Sequence, residues 1–166
     1  MSIPADRFII QIFERRYENE VIDFILSIQR REFGVAITAA EQPDLRAIPD
    51  FYQKGKGNFW LAIGEQKVVG TVALLDIGDD QVALRKMFVQ KNFRGKEKGT
   101  ARALLDTLLS WAREKRIQQI FLGTTPKYLA AHRFYEKNDF LEIDRDKLPK
   151  RFPIMKVDTK FYRRTV

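Results

Sequence analysis

The stretch Leu84–Leu109, LRKMFVQKNFRGKEKGTARALLDTLL, has residue types and spacing suited to holding phosphate. An apolar, strand-like run enters a basic loop containing Gly95 and Gly99, and the loop opens a helix-like run. The first N–H groups of a helix lack intrahelical partners and carry partial positive charge. They can therefore cradle an anion. Gly95 and Gly99 let backbone approach a ligand closely, and Lys96 and Lys98 add charge. The same residues also describe a solvated strand-to-helix loop with exposed lysines. Other phosphate motifs fit worse. A nucleotide P-loop has four residues between its glycines and Lys-Ser/Thr after the second. Here three residues separate Gly95 from Gly99, and Thr100-Ala101 follow. A GxGxxG pattern is absent.

Other groups could move protons. His132 is the sole histidine, a residue type that can act as a base near neutral pH. It precedes Tyr135 by about one helical turn, and a structural role in that helix is the favoured reading. Tyr135 on a helix is ordinarily a core or interface residue. No cysteine is present, so disulfides, Cys-ligated zinc and an acyl-cysteine intermediate are excluded. No metal site is expected.

The elements that must position these groups follow from periodicity. Arg7–Phe13 reads as a strand. Tyr17, Val21, Phe24, Ile25 and Ile28 recur at helical spacing, and Gly34 ends that region. Asp44 is expected to cap a short helix carrying Leu45, Ile48 and Phe51, limited by Pro49. Three strands then follow with short turns, Phe59–Ile63, Lys67–Ile77 and Val82–Val89, which implies antiparallel pairing. Ala101, Leu104, Leu105, Leu108, Trp111 and Ala112 mark a helix over Gly99–Arg116. Gln118–Leu122 is a strand, and Pro126 suits the first turn of a helix running to about Asn138. Phe140–Ile143 and Ile154–Tyr162 read as the last strands. The expected architecture is α/β of the α+β type. Its sheet is mixed and mostly antiparallel, with six to seven strands, a central β-loop-α-β unit and helices on both faces. Residues 1–166 read as a single domain, with the β-loop-α-β unit a right-handed crossover.

Composition bounds the function. The chain has 166 residues and is 45% hydrophobic, enough for one sizeable core and too apolar for a disordered chain. No apolar run approaches the ~18 residues of a membrane helix, and MSIPADRF lacks the features of a secretory signal. The reading is a cytoplasmic protein without a membrane partner. Its net charge of +8 suits a polyanionic partner, either nucleic acid or a small ligand with several phosphates.

Two segments together resemble the GNAT superfamily of N-acetyltransferases. Arg94-Gly95-Lys96-Glu97-Lys98-Gly99 is similar to the family's Arg/Gln-x-x-Gly-x-Gly/Ala signature at Arg94 and Gly99, with Glu97 where glycine is usual. Ala131-His132-Arg133-Phe134-Tyr135-Glu136-Lys137-Asn138-Asp139-Phe140 looks like its Ala-x-x-Leu/Phe-Tyr-x-x-x-Gly-Phe segment, with Asp139 replacing glycine. The strand order agrees from about Arg7 onward.

The resemblance implies acetyl-CoA as cofactor. Pantetheine would pair with the backbone of Met87, Phe88 and Val89. Pyrophosphate would sit on the N–H groups of Arg94, Gly95, Lys96, Glu97, Lys98, Gly99 and Thr100. Tyr135 would act as general acid toward the departing thiolate, after direct attack by a primary amine in a ternary complex. Many relatives carry a glutamate on the fourth strand, and Val82-Ala83-Leu84-Arg85 has none. Gln29 and Glu32 lie in the region that lines the acceptor pocket in such folds. Glu32 is the substitute candidate for the base, and Arg30 and Arg31 could bind an acceptor carboxylate. A small-molecule or peptide amine acceptor is expected. Pairing of the final strand between subunits would give a homodimer. Two other readings compete: a basic nucleic-acid-binding module, disfavoured because no groove-reading or base-stacking signature is present, and a catalytically silent CoA-binding protein of the same fold.

Overall fold

The computed structural model describes residues 7–166. The N-terminal residues behind the signal-sequence reading lie largely outside that range. Seven strands form one sheet in the order β1-β2-β3-β4-β5-β7-β6. They are β1 (Phe8–Ile12), β2 (Asn58–Gly64), β3 (Lys67–Gly78), β4 (Gln81–Val89), β5 (Gln119–Thr124), β6 (Leu141–Ile143) and β7 (Lys160–Thr165). Only β4 and β5 pair in parallel; every other neighbour pair is antiparallel. Four α-helices accompany the sheet among the described residues: α1 (Glu18–Leu26), α2 (Ile48–Phe51), α3 (Thr100–Glu114) and α4 (Leu129–Lys137). No helix among these residues is long and apolar enough to cross a membrane.

Helices cover both faces. On one, Leu104, Leu105, Leu108, Leu109 and Ala112 of α3 meet Trp60, Val69, Val72 and Leu84 of the sheet, with Tyr135 and Phe140 completing the cluster. On the other, Val21, Ile22 and Ile25 of α1 and Ile48 of α2 meet Phe59, Leu61, Val68 and Ala73. Strand side chains alternate in direction, so β2 and β3 supply both cores at once. Such strands read as near-continuous apolar runs, as FWLAI does.

Several sequence expectations are corrected. The last strand begins at Lys160, not Ile154, because Met155–Asp158 closes a turn through its backbone. Pro126 lies in a turn whose Tyr128 N–H bonds the Thr125 carbonyl, and the helix starts only at Leu129. Asp44 caps nothing. Its carboxylate accepts the Tyr52 hydroxyl at 2.5 Å and pairs with Lys86 at 3.6 Å. By contrast, the helical region that opens with α1 ends as expected: it continues as a π-helical turn over Ser27–Glu32 and stops before Gly34, at φ +63°. The final strand is interior, flanked by β5 and β6, so it offers no free edge to a second subunit.

Candidate active site

β4 and β5 register only at Gln81↔Gln119, Val82↔Ile120 and Ala83↔Phe121. Both strands then run on, β4 to Val89 and β5 to Thr124. The sheet therefore splays open, and β4 from Leu84 onward has a strand on one side only. Met87, Phe88 and Val89 lie along this opening. Unpaired strand backbone is a template for an extended ligand that brings its own hydrogen-bonding groups.

The loop at the end of β4 leads straight into α3. Gly95 (φ +100°) and Gly99 (φ +72°) take left-handed conformations that L side chains resist. A Cβ on either would meet nothing within 4 Å, so conformation rather than crowding is what glycine provides there. Lys98 and Gly99 donate their N–H groups to the Gly95 carbonyl, and Ala103 donates to Gly99. No side chain caps α3, which leaves the Thr100 and Ala101 N–H groups facing out of the first turn. Thr100 Oγ1 is the only enclosed side-chain oxygen or nitrogen without a partner among the described residues. An uncapped helix start beside a splayed strand suits a phosphate-bearing ligand with an extended arm. The residues thus fit the diphosphate and pantetheine of coenzyme A.

The two departures from the family signature differ in kind. Glu97 is exposed and does not have positive φ, so its glycine was not required by conformation. Asp139 sits at φ +68°, so that position keeps the left-handed demand and fills it with a residue that tolerates it.

Arg94 does more than lie in the loop. Its Nε donates to the Val89 carbonyl at 2.7 Å, and its two Nη groups fork onto the Glu32 carboxylate. Its guanidinium lies 5.7 Å from the Phe33 ring centroid. The loop is thereby tied to the end of the π-helical turn. Gln29 is buried, and its amide exchanges two hydrogen bonds with Gln42, at 3.1 and 2.9 Å. Arg30 and Arg31 are exposed.

Tyr135 is 6% exposed and packs against Phe140, Tyr162 and Phe134, with ring centroids 5.5, 6.0 and 6.0 Å away. Burial, and to a lesser degree the Tyr128 and Tyr162 hydroxyls, push its pKa well up, so it holds its proton at neutral pH. His132 Nε2 lies 2.9 Å from the Thr125 carbonyl. A carbonyl only accepts, so Nε2 carries the proton and the imidazole pins the turn before α4.

A cluster that the linear reading missed lies on the α1–α2 face of β4. Thr71 pairs with Phe88 but Ala73 pairs with Arg85, so β4 bulges at Lys86 and Met87. Lys86 takes φ +57°, and its carbonyl accepts the Thr71 hydroxyl at 2.6 Å. Its ammonium reaches Gln42 Oε1 at 2.5 Å and Asp44 at 3.6 Å. Burial pushes its pKa down to about 8, against the pull of Asp44. Two adjacent cations inside VALRKMFV break strand alternation; that break was the available signal of a bulge.

Comparison with known proteins agrees with this geometry. The Acetyltransferase (GNAT) family model matches residues 22–140. N-acetylaspartate synthetase of Xenopus tropicalis is 39% identical over 109 residues, covering 64% of this chain. The chain spans 40% of that synthetase's length. The crystal structure of a GNAT-family acetyltransferase from Staphylococcus aureus Mu50 superposes with TM-score 0.92 at 41% identity, covering 96% of this chain and 99% of that one. An acetyltransferase from Streptococcus agalactiae 2603 superposes with TM-score 0.91 at 31% identity, covering 99% and 100%.

Proposed function

Because the chain belongs to the GNAT acetyltransferase family, we propose that it transfers an acetyl group from acetyl-CoA to the primary amine of a small, carboxylate-bearing acceptor. The observation that carries this reading is the coincidence of two features at one end of β4. The strand loses its β5 partner after Ala83, and the uncapped α3 N-terminus opens beside it. Acetyl-CoA supplies the activated thioester. Met87–Val89 would offer backbone hydrogen bonds to its pantetheine arm. The N–H groups in Gly95–Thr100 that are not already bonded to the Gly95 carbonyl would hold its diphosphate, with Lys96 and Lys98 adding charge.

The acceptor nitrogen attacks the carbonyl carbon directly. A C–N bond forms, the C–S bond breaks, and the nitrogen gives up a proton to solvent. Tyr135, protonated at neutral pH, gives its hydroxyl proton to the departing sulfur and is recharged from solvent. The choice of acceptor class rests on the surplus of 30 basic over 22 acidic side chains and on the relative that is an N-acetylaspartate synthetase.

Titration calorimetry with acetyl-CoA, followed by mass detection of acetylated amino acids, tests the reading. One-to-one binding and acetylation of a carboxylate-bearing amine are expected, and no heat at millimolar acetyl-CoA would overturn it. Tyr135→Phe should lower kcat by about 100-fold or more while leaving acetyl-CoA affinity unchanged. An unaltered kcat removes Tyr135 from proton transfer.

A further inference from the structure

The bulge in β4 turns two successive cations toward the face that carries α1, α2 and the segment before β7. Their fates differ. Lys86 is matched by Asp44 and Gln42. Arg85 is not matched by any carboxylate within ion-pair distance among the described residues. Its Nη2 touches Met155 Sδ at 3.4 Å, and its guanidinium carbon lies 5.8 and 5.9 Å from the Phe51 and Tyr52 ring centroids. Aromatic walls and a thioether leave most of the guanidinium's five donors for something else.

Asp158 stands on the other side of the opening. One of its carboxylate oxygens, Oδ2, accepts the Met155 N–H at 2.9 Å. The same oxygen lies 2.6 Å from where a Cβ on Gly123 would be, so Asp158 rests directly on β5 and only glycine admits it. Pairing of β4 with β5 ends at Ala83↔Phe121. Arg85 and Gly123 are each two residues beyond that last pair. The guanidinium and the carboxylate therefore flank the splay at its second unpaired level.

We propose that Arg85 and Asp158 form the receptor for an α-amino acid acceptor, Arg85 binding its carboxylate and Asp158 its amino group. This rests on the acetyltransferase reading. Opposite charges on the two sides of the opening match the two ends of a zwitterion. They place the amino nitrogen on the β5 side, with the carboxylate held away toward α2. The ammonium proton passes to the Asp158 carboxylate before attack. Burial raises the Asp158 pKa against the opposing effects of the Met155 N–H and Arg85, which suits it to accept a proton.

Steady-state kinetics on the full chain, with L-aspartate and its uncharged diamide as probes, tests the assignment. Arg85→Met should raise KM for L-aspartate by about 10- to 100-fold, the loss of a charge-assisted hydrogen-bond pair. KM for the diamide should move less than about twofold, and Arg85→Lys should recover part of the loss. Asp158→Asn should lower kcat/KM for both probes alike. Calorimetric affinity for acetyl-CoA, unchanged in every variant, reports that the fold is intact. Equal shifts for the two probes in Arg85→Met, or none, would overturn the inference. So would acetyl-CoA binding in a wild-type chain that acetylates only amines without a carboxylate, or none at all; the cofactor reading would survive that result. Failure of the wild-type chain to bind acetyl-CoA would instead remove the acetyltransferase reading beneath it.

Discussion

The two ends of the candidate site are built from different material. At the β4–α3 loop the groups offered to the proposed ligand are main-chain N–H groups, set by Gly95 and Gly99, with exposed side chains around them. On the α1–α2 face the polar groups are side chains: Arg85, Lys86, Asp44, Tyr52, Gln42 and Gln29, drawn from β4 and from segments more than thirty residues earlier. Recognition by backbone needs only a chain path, so it leaves a short local pattern of glycines. Recognition by side chains needs groups that the fold alone brings together. The first region tolerates Glu97 in place of a glycine. The second is a buried polar network, in which each partner depends on the others.

The contrast is broken most forcefully at Lys86. Removing one member of a buried ion pair leaves its partner desolvated and unmatched. Lys86→Met should destabilise the fold by about 3 kcal/mol, read as a lower denaturant midpoint with an unchanged slope. Adding Asp44→Asn should restore part of that loss, because the stranded charge is gone. The pH dependence follows in sign. The folded-state pKa of Lys86, about 8, lies below the ordinary lysine value of 10.5. Between those values the unfolded chain holds the extra proton, so the Lys86 contribution to stability rises with pH across that window and is at its least favourable below it. Equilibrium unfolding at pH 7.5 and 9 should show that rise in the wild-type chain and a smaller one in Lys86→Met.

That contrast also decides what could be read beforehand. The loop, α3 and the alternation of strands with helices were legible, because each is encoded within a few consecutive residues. The antiparallel meander was legible for the same reason, through its two-residue turns. The short last strand was not. Ile154–Tyr162 carries enough apolar residues to read as extended, yet its first half folds into a turn held by Asp158 on the Met155 N–H. Asp44 looked like a helix cap because its only visible neighbours were the next few residues. Its actual partners, Tyr52 and Lys86, are 8 and 42 positions away, and the second is reached only across the bulge. Glu32 was legible as a charge near the site, but its engagement with Arg94 was not.

The backbone region is tested by changing conformation rather than charge. Gly99→Val places a β-branched residue at φ +72°, which is unfavourable by about 1–2 kcal/mol. Nothing lies within 4 Å of the new Cβ, so no clash adds to that. The loop can relax out of its left-handed turn, and acetyl-CoA affinity should fall by about 10-fold in calorimetry. Glu97→Gln, two residues earlier and exposed, should change affinity by less than about threefold. A larger effect from Glu97 than from Gly99 would mean that side chains, not main chain, hold the diphosphate.

The smallest effect is expected where the two regions meet, at Arg94 and Glu32. Their side chains are 32% and 29% exposed, and an ion pair of that accessibility contributes at most about 1 kcal/mol to folding. The guanidinium remains anchored without Glu32 by its bond to the Val89 carbonyl and by the Phe33 ring. Glu32→Gln therefore leaves Arg94 in place but frees its charge, and removes a negative charge from the approach of a polyanion. Acetyl-CoA should bind about two- to threefold more tightly to this variant at low salt. The difference should shrink toward nothing at 0.5 M sodium chloride, where exposed charges are screened over about 4–5 Å. Weaker binding instead would show that Glu32 presents Arg94 to the cofactor. The pair would then act as one unit across the boundary between main-chain and side-chain recognition.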